Sequence, residues 1–74
     1  MQRKRKVLRN NIRRLRFLNG EITQVQLGRE LGCSNKMVSA IEKGRAIPTI
    51  LRAYRIAEYF GVPLEEVYYF EEVN

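Results

Sequence analysis

Residues 24–44 constrain the fold most, because they predict two short helices with almost no chain between them. Thr23 can cap the first helix, and Gln26, three residues later, completes a capping box. Gly32 can end that helix in a left-handed backbone conformation, and Ser34 can cap the second helix almost at once. A connection of about three residues forces a sharp angle between the two helices.

Apolar residues at spacings of three and four indicate the buried face of each helix. They are Val25, Leu27, Gly28 and Leu31 in the first helix, and Val38 and Ile41 in the second. Gly28 is expected where the two helices cross most closely, so that only a small side chain fits there. At this position glycine should cost roughly 1 kcal/mol of helix stability relative to alanine.

Three more helices are predicted around this pair. One covers residues 10–18 and can be capped by Asn10 or Asn11, one opens at 48–49 and stops at Gly61, and a short one covers 63–67. The residues expected on their buried faces are Leu8, Ile12, Leu15 and Leu18, and then Ile50, Ala53, Ile56, Ala57 and Phe60.

The last residues, 68–73, are aromatic and β-branched with two glutamates, which is typical of a strand rather than a helix. A lone strand needs a partner, and residues 6–9, which contain Val7 and Leu8, are the other candidate within the chain. The sequence therefore predicts an all-α domain of five helices, with a small two-stranded antiparallel sheet formed by about 6–9 and 68–73.

A chain of 74 residues has room for one domain, which we expect to span residues 1–74. Its one cysteine excludes an internal disulfide framework, and the absence of histidine argues against a metal site. No acid pair in an obvious cleft and no phosphate-binding loop is recognisable, so we expect neither an enzyme nor a cofactor. No apolar run approaches the roughly 20 residues that span a bilayer, and nothing resembles a signal peptide. We therefore expect a cytoplasmic protein with no membrane partner.

Charge is distributed unevenly along the chain. Residues 1–45 hold 12 of the 14 lysines and arginines but 3 of the 8 acidic residues. One end of the molecule should therefore attract a polyanion, whereas the other should not. Charge alone leaves open a solvated basic surface or binding to an anionic membrane.

Several motifs follow one another in an order and spacing that resemble the Xre/Cro family of phage and bacterial repressors. In sequence order they are TQVQLGRELGCS, MVSAIEKG, the Pro-Thr pair at 48–49, and IAEYFGVPLEEVY. The resemblance covers residues 10–70. It implies a helix-turn-helix whose second helix, residues 35–43, enters the major groove of DNA.

The resemblance, together with side-chain chemistry, implies roles on a DNA-binding surface. The residues expected to contact bases are Asn35, Lys36, Ser39 and Ala40, and those expected to contact phosphates are Gln24, Lys43, Arg45 and Arg14. Asparagine suits adenine and lysine suits guanine, although a phosphate contact by Lys36 is nearly as good an interpretation. Arg13 and Arg14 could reach the backbone, but a solvated face is an equal alternative for both.

The resemblance also implies a structural ion pair. In the family, an arginine of the first helix pairs with the glutamate of the IEKG segment, and the match puts Arg16 and Glu42 in those places. The loop 16–23 is one residue longer than the usual pattern. Cys33 stands where the family mostly has valine, and we expect a small buried apolar role for it rather than a redox switch.

A single helix-turn-helix reads few base pairs, whereas two-fold dimers read half-sites about 34 Å apart. The aromatic region 61–74 offers a self-complementary surface, so we expect a homodimer there. The interface residues expected are Pro63, Leu64, Val67 and Tyr68. A basic arm at residues 1–6, with Arg3, Lys4, Arg5 and Lys6, is expected to be disordered without DNA.

These features predict a sequence-specific DNA-binding transcriptional regulator, a repressor that binds an inverted-repeat operator as a homodimer. One alternative is the antitoxin of a toxin–antitoxin pair, which would also bind a protein partner. Another is binding to nucleic acid by charge alone. No ligand domain is recognisable, so we expect no small-molecule ligand.

Overall fold

The computed structural model describes residues 4–74, which form a strand, five helices and a second strand. In chain order these are β1 (Arg5–Asn10), α1 (Ile12–Leu18), α2 (Gln24–Leu31), α3 (Asn35–Glu42), α4 (Ile50–Phe60), α5 (Leu64–Val67) and β2 (Tyr68–Val73). The prediction of five helices and of paired terminal strands is confirmed.

The core lies where the helices meet, and every helix contributes buried side chains to it. Its largest fully buried members are Ile12, Leu27, Val38, Ile41, Ile56 and Val67. Burying one such side chain contributes about 1.5–3 kcal/mol, so this cluster is the main source of stability for helices that are individually too short to persist.

Three apolar residues that were predicted on buried faces are exposed instead. Leu18 is 69% exposed, Val25 47% and Ile50 74%. Leu18 ends α1, Val25 is the second residue of α2, and Ile50 begins α4. Apolar residues in the middle of each helix are buried, as their spacing predicts. A first or last turn can instead extend beyond the neighbouring helices that would bury its apolar side chains.

The two strands pair antiparallel, with Arg5 opposite Val73 at one end and Asn10 opposite Tyr68 at the other. Leu8 therefore belongs to β1 rather than to the turn before α1. Its partner Phe70 lies directly across the ladder, so both side chains project from the same face of the sheet.

The basic N-terminal residues belong to this sheet as far as the structure describes them. Arg5 and Lys6 lie in β1, and the Lys4 Nζ atom is 3.7 Å from a carboxylate oxygen of Glu72. The prediction of an arm that is disordered without DNA is wrong for Arg5 and Lys6, because pairing with β2 orders their backbone. The rest of the predicted arm, residues 1–3 with Arg3, lies outside the described residues.

Two successive residues of the loop between α1 and α2 adopt left-handed backbone. Gly20 has φ of +89° and Glu21 has φ of +56°. The Ile22 N–H then donates to the Arg16 carbonyl at 3.0 Å, so the chain returns to α1 before α2 begins.

Tyr68 carries a buried hydroxyl group for which residues 4–74 provide no hydrogen-bond partner, and burial raises the pKa of Tyr68 to about 12. We expect Tyr68→Phe to raise the free energy of unfolding by about 1 kcal/mol, because the buried oxygen loses water without gaining a partner. An unfolded tyrosine ionises near pH 10, so between about pH 10 and 12 the unfolded state binds fewer protons than the folded state. The original chain should lose stability as pH rises through this window, and Tyr68→Phe should lose less.

Urea unfolding of both chains at pH 8 and pH 11 measures this difference. The exposed Tyr69, changed to Phe, is the matched control and should leave both values unchanged. A Tyr68→Phe variant less stable than the original chain at pH 8 would contradict the prediction.

Candidate nucleic-acid interface

Start and stop signals set the connection between α2 and α3. The Thr23 hydroxyl accepts from the Gln26 N–H at 3.0 Å, and the Gln26 side-chain oxygen accepts from the Thr23 N–H at 2.8 Å. Gly32 ends α2 with φ of +70°, and the Ser34 hydroxyl accepts from the Met37 N–H at 3.1 Å. Side-chain caps therefore pair backbone N–H groups at the start of both helices. The chain can turn sharply between the helices without leaving these groups unpaired.

Gly28 lies against this turn. Its carbonyl oxygen accepts from the Cys33 N–H at 2.9 Å, and a Cβ atom at this position would lie 2.6 Å from the Cys33 carbonyl oxygen. The close approach of the turn to Gly28 agrees with the prediction that only a small side chain fits there. The predicted gain in helix stability from alanine at this position does not hold. An alanine methyl would force backbone atoms of the turn to shift, which opposes the roughly 1 kcal/mol that alanine gains in helix propensity.

The outward face of α3 is polar and accessible. Val38 and Ile41 are buried and tie the helix to the core. The four residues predicted to contact bases lie away from that buried face: two are exposed and two are partly buried, in the order Asn35, Lys36, Ser39 and Ala40. Met37 in the first turn is also exposed, which the apolar pattern of the sequence did not indicate.

Arg16 and Glu42, the residues of the predicted ion pair, lie in direct contact. The Arg16 Nε is 2.6 Å from one carboxylate oxygen of Glu42, and its Nη2 is 3.0 Å from the other. The remaining Nη1 donates to the Ile22 carbonyl at 2.9 Å. With side chains only 10% and 7% exposed, this two-pronged pair fixes the end of α3 against α1.

Gln24, predicted to contact phosphate, turns its side chain to Glu42 instead. Its amide nitrogen donates to a carboxylate oxygen of Glu42 at 3.2 Å. The group that this position offers to an anion is therefore chiefly the backbone N–H at the start of α2, where the helix dipole favours negative charge.

The two neighbouring arginines of α1 face different surroundings. Arg13 lines a depression that Gln24 and Lys43 also line. Its guanidinium carbon is 5.7 Å from the centre of the Phe17 ring, a cation–π distance. Arg14, which was predicted to contact phosphate, lines a second depression together with Glu65 and Glu66, and both arginines line a third together with Glu42.

Lys43 and Arg45 are exposed just beyond the end of α3. The Arg45 N–H donates to the Ala40 carbonyl at 2.8 Å, so the chain folds back across the helix end. The depression and this helix end therefore present cations from α1 and from the segment after α3.

The predicted dimer residues do not form one surface. Val67 has no exposed area, because it fills the core of its own chain, so the prediction that it contacts a second copy is wrong. Leu64 and Tyr68 are partly buried and line one groove with Ile47 and Ile50. Pro63 is exposed but does not line that groove.

Within residues 4–74, no group of three or more His, Cys, Asp or Glu side chains is placed to hold a metal ion. No helix in the described part of the chain is long and apolar enough to cross a membrane.

Two short helices joined by a tight turn, the second with an accessible polar face beside clustered cations, define a helix-turn-helix DNA-binding domain. The family model described as helix-turn-helix matches residues 12–67. A protein named as an uncharacterised HTH-type transcriptional regulator of Methanocaldococcus jannaschii is 35% identical over 65 residues, 88% of this chain and 97% of that relative. The uncharacterised HTH-type transcriptional regulator YgzD of Bacillus subtilis is 36% identical over 67 residues, 90% of this chain and all of that relative.

The chain therefore belongs to the Xre/Cro-type helix-turn-helix family of DNA-binding transcriptional regulators. The sequence motifs indicate the same family.

Proposed function

We propose that the chain is a repressor that binds an inverted-repeat operator as a homodimer and reads it with α3. The observation that carries this proposal is the accessible face of a helix whose other end is locked by the Arg16–Glu42 pair. A helix fixed in this way enters a groove without a large ordering cost on binding.

In this proposal, few side chains of α3 contact bases directly. Asn35 and Lys36 project from the first turn of α3, where the motif approaches base edges. Ser39 and Ala40 are short, so they favour close approach of the helix more than long-range contacts. Operator choice should therefore also depend on half-site spacing and on DNA shape.

Phosphate contacts are proposed for Arg13, Lys43 and Arg45, with the backbone N–H of Gln24. Arg13 replaces Arg14 in this set because it shares a depression with Gln24 and Lys43, whereas Arg14 lines a depression with Glu65 and Glu66. The Phe17 ring also limits the motion of Arg13 and so lowers the entropic cost of its contact.

Arg13→Ala should weaken binding to every duplex, and should lower the slope of log affinity against log salt by about 1.8, the contribution of two phosphate contacts, one from each protomer of the proposed dimer. Arg14→Ala removes the same charge from the next residue and is the matched control, with a smaller change in slope. Titrations at four salt concentrations measure both. Equal slopes for the two variants would contradict the assignment of Arg13.

The proposed dimer surface is an apolar groove beside the terminal sheet. Its lining residues are Leu8, Ile47, Pro48, Ile50, Ala53, Leu64 and Tyr68. Phe70, exposed on the same sheet face as Leu8, extends the apolar area past the groove. Such an area on a small domain favours a self-complementary contact about a two-fold axis.

The test is selection of bound sequences from a random duplex library, followed by affinity measurements on selected and random duplexes at one salt concentration. The proposal expects an inverted repeat and an affinity ratio of about a thousandfold or more. No enrichment, with equal affinities, would indicate charge-only binding and overturn the proposal. Co-purification with a small toxic partner would favour the antitoxin alternative.

A further inference from the structure

The last residue of β1 caps the end of α3 from outside the helix-turn-helix. The Asn10 side-chain amide donates to the Ile41 carbonyl at 3.1 Å and to the Glu42 carbonyl at 3.3 Å. These are the last two residues of α3, where carbonyl oxygens have no partner within the helix. The segment after α3 also closes the helix end, because the Gly44 N–H donates to the Ile41 carbonyl and the Arg45 N–H donates to the Ala40 carbonyl. Asn10 adds a contact from a distant part of the chain, and it reaches the Glu42 carbonyl as well.

The same residue is anchored on its other sides. Its side-chain oxygen accepts from the Ile12 N–H at 3.2 Å, at the start of α1. Its backbone lies opposite Tyr68 in the terminal sheet. One side chain therefore connects the sheet, the beginning of α1 and the end of α3.

The end of α3 is held in two distinct ways. Arg16 and Gln24 hold the Glu42 side chain through its carboxylate, whereas Asn10 holds the backbone of the helix. Contacts to the carboxylate leave side-chain torsions free to adjust. Contacts to consecutive carbonyls fix the helix axis itself, and recognition surfaces work within about 0.5 Å of their productive geometry.

We propose that Asn10 is a positioning residue: it sets the orientation of α3 relative to the terminal sheet, and thereby the discrimination between DNA sequences, without contacting DNA. This inference rests on the proposed reading of DNA by α3. Asn10 lies outside residues 12–67, which the helix-turn-helix family model matches, and the sequence indicated for it no more than a cap for the first helix.

The matched control is the next residue. The Asn11 side chain also donates to a backbone carbonyl, that of Glu66 at 3.0 Å, but this bond leads to α5 rather than α3. Asn10→Ala should lower the affinity ratio of selected over random duplex about tenfold, equivalent to about 1.4 kcal/mol. Asn11→Ala should change that ratio less than about twofold.

A second measurement needs no DNA. The Gly44 N–H donates to the Ile41 carbonyl, so its hydrogen exchange reports on the end of α3. In free protein, Asn10→Ala should accelerate exchange at Gly44 more than in the core, and Asn11→Ala should not. If the alanine variant does not fold, Asn10→Asp against Asn11→Asp gives the same comparison, since Asp retains the acceptor for Ile12.

The outcomes separate the two proposals. Equal affinity ratios for the Asn10 and Asn11 variants, or no selective exchange at Gly44, would overturn the positioning role. An original chain that does not discriminate between duplexes would overturn the proposed function, and exchange at Gly44 would still decide whether Asn10 holds α3.

Discussion

Replacing Glu42 by alanine is expected to lower the free energy of unfolding by about 3–5 kcal/mol. The change removes both carboxylate oxygens from an arginine that is almost fully buried and has one backbone carbonyl as its other partner. A domain of this length has a total stability of roughly 4–11 kcal/mol. The loss is therefore a large fraction of the total stability, and the variant should unfold at a much lower urea concentration than the original chain.

Urea unfolding followed by circular dichroism measures the loss. Glu30→Ala, which removes an exposed glutamate from α2, is the matched control and should stay within about 0.5 kcal/mol of the original chain. The double variant Arg16→Met with Glu42→Leu should regain much of the loss, because apolar residues often replace a buried pair at little cost. A loss below about 1 kcal/mol for Glu42→Ala would show that the Arg16–Glu42 pair does not fix the end of α3 against α1.

Capping residues and glycines at the ends of helices made most of the fold predictable from sequence. The capping box at Thr23 and Gln26, the cap at Ser34 and the left-handed Gly32 each act within a few residues, so the sequence alone specifies them. The Arg16–Glu42 contact was predictable only through the family resemblance. No local rule relates residues 26 positions apart.

The features that could not be predicted from the sequence depend on residues that are distant along the chain. Periodicity indicates which side of a helix is apolar, but not how far a neighbouring helix extends along it, so the exposure of Val25 and Ile50 was not foreseen. In the same way, Arg13 and Arg14 are equivalent in sequence. In the folded chain Arg13 shares a depression with Lys43 and Arg14 shares another with Glu65 and Glu66, while both line a third.

One residue of the predicted dimer interface, Val67, was placed wrongly for a related reason. Val67 is apolar and near the C-terminus, which suits an interface, but α5 is a single turn and its apolar residue fills the core. The apolar groove instead combines residues from β1, the segment before α4, α4 itself, α5 and β2. A surface assembled from five segments leaves no signature in any one of them.

Ile50→Glu should abolish the proposed dimer while leaving the monomer folded. Ile50 lines the apolar groove and is 74% exposed, so the monomer loses little packing on its replacement. It is also the first residue of α4, where a negative charge is favoured by about 0.3–1 kcal/mol through the helix dipole. In a two-fold dimer the change introduces two carboxylates into one apolar contact, and each loses water without gaining a partner.

Sedimentation equilibrium should show dimer affinity lowered by at least about 100-fold, equivalent to about 2.7 kcal/mol, with operator binding reduced in parallel. Leu51→Glu makes the same change one residue later, on a side chain that is 62% exposed but does not line the groove, and should leave both affinities nearly unchanged. Because both variants place glutamate in the first turn of α4, dipole effects and net charge are matched between them. If the two variants dimerise equally well, the interface lies elsewhere; if the original chain is monomeric at millimolar concentration and on its operator, there is no dimer. The comparison thus separates a groove that binds a second copy from apolar surface that merely remains exposed.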